Sequence, residues 1–264
     1  MTNDYGRVPP GRVFLALLLR DLRVARRELA YFMIRTTMQP LLFVVVFGWL
    51  LPAMGFVTGD YRAALLPGIL AVSLAFSAVQ SVALPMVAEF GWTREIEDRL
   101  LAPVPTWLVA FEKVVAGVFQ GFIAALFVLP VARLLMGPVE GITFMELEKL
   151  AAVILLGGAS FSSLGLLLGT AINTEQIGLM FSVIVAPMIF FGAAYYPWAG
   201  LSTVPLMKWL VLINPLVYVS EGMRAALTPQ LPHMPMVAVL AGLAATTTAF
   251  WVLGYRTFLK RAIG

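Results

Sequence analysis

Apolar residues along this chain fall into long blocks, and the charged residues are largely confined to the gaps between them. A helix needs about 20 apolar residues to cross the hydrocarbon of a bilayer. Six blocks are candidates: Pro40–Val57, Ala64–Ala88, Val114–Leu135, Leu150–Ala171, Ile177–Ala194 and Met234–Gly254. The fifth sits in a stretch without charge from Glu175 to Lys208, too long for one span and too short for two with a loop. Within it, Tyr195-Tyr-Pro-Trp198 reads as an interfacial aromatic belt that ends the span.

Two short helices are predicted beyond that belt, at Pro205–Ile213 and Pro215–Leu227. Ser202 or Thr203 precedes the first, Asn214 is a good N-cap for the second, each has proline at its first position, and Pro229 stops the second. Neither is long enough to cross. The stretch 199–228 therefore reads as a re-entrant hairpin buried against protein, because lipid leaves unpaired backbone groups unsatisfied.

Two polar stretches have helical periodicity. In 12–33, Phe14, Leu18, Leu22, Ala25, Leu29 and Phe32 step by three or four while Arg20, Arg23, Arg26 and Arg27 take the other faces. This predicts an amphipathic helix on the inner leaflet. In 93–102, opening near Thr93 and stopped by Pro103, Trp92, Ile96 and Leu100 share one face. Arg94 with Asp98 and Glu95 with Arg99 form i,i+4 pairs on the other. A short helix at the membrane surface with a charged face points to a soluble partner.

Composition narrows the class. Of 264 residues 61% are hydrophobic and 12% charged, about half the charged share of soluble domains. The fold expected is all-α integral membrane, a single domain over 1–264 with six transmembrane helices and no internal repeat. The chain has no cysteine and one histidine, His233, which removes thiolate chemistry and most metal or imidazole sites. The arginine-interrupted N-terminus lacks a cleavage pattern, so the first span is expected to stay in the mature protein. With both termini placed inside, thirteen of the 18 basic residues lie on that side, against five outside or in boundary positions. The positive-inside rule thus puts both ends and the 93–102 helix in the cytoplasm of a multi-pass cell-membrane protein.

Chemistry is sparse. No GxxxxGK[ST] loop is present, so ATP is not bound by that route. Ser160 could suggest an intramembrane serine nucleophile, but the surrounding Gly157-Gly-Ala-Ser-Phe-Ser-Ser163 and Gly165-Leu-Leu-Leu-Gly169 read better as small residues that let helices approach. Ser73, Ser77 and Gln80 share a face of the second span, suiting interhelical hydrogen bonds or a polar transport path equally. Phe181, Met188 and Phe191 in the fifth read as packing. Glu221 and Arg224 are i,i+3 in an apolar stretch, where a mutual salt bridge explains them better than a gate. No catalytic or metal site and no proton relay stands out, so a transporter of this kind needs an external energy source.

Three segments carry a family resemblance: Arg94-Glu-Ile-Glu-Asp-Arg-Leu-Leu-Ala-Pro-Val-Pro105, Phe190-Phe-Gly-Ala-Ala-Tyr-Tyr-Pro197 and Ile213-Asn-Pro-Leu-Val-Tyr-Val-Ser-Glu-Gly-Met-Arg224. In their order and spacing the chain resembles an ABC-2 type permease, the transmembrane half of type V ABC exporters. The resemblance implies two facing permeases, as a homodimer or heterodimer, above two separate nucleotide-binding subunits that hold ATP and Mg, with no cofactor on this chain. It makes Arg94, Glu95, Ile96, Glu97, Asp98, Arg99, Leu100 and Leu101 the coupling helix and 12–33 the elbow helix. Asn173–Gln176 becomes the second cytoplasmic turn. The hairpin with Asn214, Pro215, Glu221 and Arg224 closes the outer side. Ser73, Ser77, Gln80, Phe181, Met188 and Phe191 line the substrate path at the dimer interface. The expected substrate is amphiphilic, lipid-like or drug-like, with a lipid-linked glycan or polysaccharide as the alternative.

Overall fold

A computed structural model describes residues 9–27, 34, 38–56, 60–91, 93, 95–100 and 105–263. Its regular elements are helical, and no strand occurs among the described residues. In chain order they are α1 (Pro10–Arg27), α2 (Met38–Ala53), α3 (Asp60–Gly91), α4 (Glu95–Leu100), α5 (Thr106–Met136), α6 (Leu147–Ala171), α7 (Ile177–Phe190), α8 (Pro205–Ile213), α9 (Pro215–Leu227) and α10 (Met236–Ile263).

Among the described residues, four helices are long and apolar enough to cross a membrane by themselves: α3, α5, α6 and α10. The α8–α9 pair, bent by 100°, makes a fifth candidate only if counted as one span. At the expected first and fifth spans, α2 ends at Ala53 and α7 at Phe190, short of the expected Val57 and Ala194, and both carry π-helical turns, at Val44–Leu50 and Phe181–Val185.

The middle of α3 is buried on all sides, from Leu65 to Ala83 except for Phe76. Small residues permit this. A methyl group on Gly165 or Gly169 of α6 would sit 2.7 Å from the backbone oxygen of Val79 or 2.8 Å from that of Ala83. The expected close approach of helices at Gly165–Gly169 is therefore the contact of α6 with α3. Around this axis, α5 and α6 pack against α3, α10 against α6, and α9 fills the far end. Arginines cap the ends of neighbouring helices: Arg62 at the start of α3 donates to the carbonyl of Met136 closing the antiparallel α5, and Arg261 near the end of α10 donates to Gly169, Thr170 and Ile172 closing the parallel α6.

The short pair differs from expectation on one side. Asn214 caps α9 through a bond from the Leu216 amide, as the sequence indicates. The residue capping α8 is Val204, with no side-chain bond, so Ser202 and Thr203 do not serve. All of α9 except Tyr218 is buried, whereas α8 exposes Leu206, Trp209 and Ile213. Tyr195 likewise turns inward onto Phe43 and Phe47 of α2, at 4.5 and 5.3 Å between ring centroids, instead of facing headgroups.

Candidate functional site

The α4 end of the bundle is built around one arginine. Helix α4 follows α3 in the chain, and its Ile96 is 3% exposed, packed with Met86 of α3, Val109 and Val114 of α5, and Phe258 of α10. Three residues on, less than one helical turn, Arg99 also turns inward. Its guanidinium lies 2.9 Å from Asp21 of α1, 3.2 Å from Glu89 of α3 and 3.6 Å from Glu112 of α5. Lys113 joins the same cluster, at 2.8 Å from Asp21 and 2.6 Å from Glu89. One rigid knot therefore ties α4 to α1, α3 and α5.

Burial would raise the Asp21 carboxyl, but Lys113 and Arg99 beside it outweigh that and hold it below the usual carboxylate range. Burial would lower the Arg99 guanidinium, yet Glu89, Asp21 and Glu112 keep it above its ordinary value. Isolated buried ions are costly; here each cation serves at least two acids, which offsets part of the desolvation. Beside the knot lies a cavity of about 350 Å³ bounded by α1, α3, α4 and α5, with Arg20, Asp21, Glu89, Glu95, Arg99 and Lys113 among its lining residues.

The expected i,i+4 pair of Glu95 with Arg99 does not form. Glu95 instead meets Arg20 of α1 at 2.6 Å, both side chains exposed, while Arg99 is drawn into the knot. Burial of Ile96 fixes the helix rotation and decides the outcome. The Arg94–Asp98 pair, the side chains of Trp92, Glu97 and Leu100, and Leu101 lie outside the described residues, as do residues 28–33 of the predicted surface helix. In its described part, α1 follows expectation. Leu18 is buried, Phe14 stacks on Phe111 at 6.0 Å, and Arg20, Arg23, Arg26 and Arg27 are exposed.

A second polar centre occupies the opposite end, near the start of α3. Glu221 and Arg224 are fully buried and paired at 2.5 Å, the mutual salt bridge expected of them. They also do more. Arg224 donates to the carbonyls of Ala64, Ala193 and Ala194, while Glu221 accepts from the amides of Trp198 and Met234. Four segments are pinned together, with Ala193 held at a φ of 51°. A methyl on Gly68 would run into the backbone of Ala194, so glycine there allows α3 to reach this centre.

The chain matches the family described as ABC-2 type transporter over residues 12–228, most of its length. The chain belongs to the ABC-2 type transporter family. It is also 27% identical over 218 residues to the "Inner membrane transport permease YadH" of Escherichia coli K12, covering 80% of this chain and 81% of that protein. The Shigella flexneri protein of the same name matches to the same extent. This chain is thus a membrane subunit of an ABC transporter, and the family works with an ATP-binding partner.

Within this ABC-2 subunit, the six residues read as a path are divided. Ser73 and Ser77 are fully buried and Gln80 is 5% exposed. Ser77 donates to the carbonyl of Gln120 on α5, so this face packs inside the protomer and offers no surface to a second copy. Phe181 and Met188 are half-buried and Phe191 is 48% exposed. Met188 and Phe191 line an apolar groove of about 560 Å³ between α7, α8 and α9, where Asn214 donates to the carbonyl of Met188 and Pro215 forms part of the wall. Ser160 donates to Thr246 at 3.0 Å, a bond between α6 and α10 with a hydroxyl, not a base, as its partner.

The acids and lysine of the knot escaped the sequence reading. Their signals were Asp21, an acid between Arg20 and Arg23 in an arginine-rich helix, the acid Glu89 closing an apolar run, and the Glu112-Lys113 pair opening another.

Proposed function

We propose that this chain is the permease of an ATP-driven exporter, working as two copies above two separate nucleotide-binding subunits that supply ATP and Mg. The observation that carries this reading is the seating of α4. Ile96 and Arg99 lock it to α1, α3 and α5, while Glu95 stays at the surface. Closure of an ATPase against α4 would then move three helices together as a lever. In this scheme the residues proposed to couple to the ATPase are Arg94, Glu95, Glu97 and Asp98, whereas Ile96 and Arg99 are internal anchors. Both termini and α4 are cytoplasmic, and the Glu221–Arg224 centre closes the outer side.

The cargo proposed is amphiphilic, lipid-like or drug-like. The apolar groove along Met188 and Phe191 supports this, because it carries no charged side chain. A lipid-linked glycan is the second reading, favoured by the exposed aromatic rings at Phe190 and Phe191. The test is charge reversal at Glu95, Glu97 and Asp98 in the complex reconstituted with its ATPase. Loss of transport with ATP hydrolysis retained, or loss of assembly, supports the lever. Normal copurification and normal transport would refute it.

A further inference from the structure

We propose that the cavity beside the Arg99 knot binds a protonated amine carried on an apolar chain. The cavity is lined by three acids, Asp21, Glu89 and Glu95, and three cations, Arg20, Arg99 and Lys113, with the further knot carboxylate Glu112 in contact with Arg99. The unused hydrogen-bonding capacity is mostly acceptor. Glu89 Oε2 and both carboxylate oxygens of Glu112 are buried without a hydrogen bond, against a single orphan donor, Nε of Arg99. Buried polar atoms in a folded protein find partners in nearly every case, so such a concentration calls for a donor.

Glu89, 6% exposed, lines the cavity directly, and Glu112 lies behind Arg99. An anion would have to compete with carboxylates already holding the cations. An ammonium supplies the charged donor that the orphan oxygen of Glu89 lacks. The volume of about 350 Å³ is within the roughly 300–1,000 Å³ of small-molecule pockets and far beyond the need of one water. Its other wall is apolar, formed by Leu84, Pro85, Ala88 and Ala116, which suits an alkyl stem. Val24 and Arg20 on the exposed side of amphipathic α1 form the rim. A cationic amphiphile could enter there from the headgroup layer. The site stands on this chain alone and does not depend on the docking of an ATPase.

The experiment is equilibrium binding of radiolabelled dodecylammonium to the full-length chain in phosphatidylcholine nanodiscs, with dodecanol and dodecanoate as analogues. One saturable dodecylammonium per chain is expected, with no saturable dodecanol. In Glu89→Gln the affinity should fall about tenfold or more, as for loss of a charged hydrogen bond. Ala88→Phe, filling the apolar wall, should block binding, while Glu146→Gln outside the cavity should not change it. Unsaturable partitioning alone, dodecanol or dodecanoate binding as tightly as the amine, or unchanged affinity in folded Glu89→Gln would overturn the proposal. Should Glu89→Gln not fold, the analogue comparison on the native chain and Ala88→Phe still decide it.

Discussion

Replacing Arg99 with methionine isolates the knot that fixes α4. The substitution keeps a similar apolar stem and removes a guanidinium whose residue is 5% exposed and which meets Asp21, Glu89 and Glu112. Lys113 then faces the acids alone, at Asp21 and Glu89, and Glu112 loses its closest cation. Breaking a buried pair from one side costs about 3–5 kcal/mol, since uncompensated charge stays behind. That is a large share of the roughly 5–15 kcal/mol of a folded domain and corresponds to a melting drop on the order of 10 °C. Removing the stranded acid as well, in Arg99→Met with Glu112→Gln, should recover part of the loss. The two changes are therefore non-additive in a double-mutant cycle. Thermal unfolding in detergent measures the four proteins, and substrate-stimulated ATP hydrolysis in the reconstituted complex reads the lever. A melting point within 2 °C of the parent for Arg99→Met, taken from the scale of roughly 2–4 °C per kcal/mol, would refute the reasoning, as would full additivity.

Three further outcomes are expected. The Asp21 carboxyl is held low, so its contribution is present above the unfolded value near 4 and lost as pH falls through the still lower folded value. A spin label at Arg23→Cys, clean in a chain without cysteine, should gain mobility only below about pH 4, and Asp21→Asn should show that mobility at neutral pH. Arg224→Lys cannot reproduce four directed bonds, so it should lower the melting temperature nearly as much as Arg224→Met, and equal melting of lysine variant and parent would contradict the pinning role. Ser160→Ala should cost only about 0.5–1.5 kcal/mol and leave ATP-driven transport intact, whereas loss of all activity would revive a nucleophilic serine.

Much of the architecture was legible because membrane insertion is governed by run length and polarity, both one-dimensional properties. The four long helices, the amphipathic α1, the Asn214 cap and the pairing of Glu221 with Arg224 are local and could be read directly. The π-helical turns of α2 and α7 could not, since they arise from packing and leave no distinct compositional mark.

The candidate site was legible as an address but not as a mechanism. Periodicity around Ile96 located a short charged helix, and it also suggested that Glu95 would pair with Arg99 at i,i+4. Such surface pairs contribute only about 0.2–0.5 kcal/mol, far less than burial of an isoleucine and a five-member ion cluster. Tertiary packing therefore overruled it, turning Arg99 toward Asp21, Glu89 and Glu112, which are 78, 10 and 13 positions away. The amino-acid sequence by itself determined the class of protein, the number of apolar blocks and where charge interrupts them. Which charges meet, and which helices α4 can therefore move, only the tertiary structure decided, because an ion pair depends on distance in space and its partners here come from separate helices.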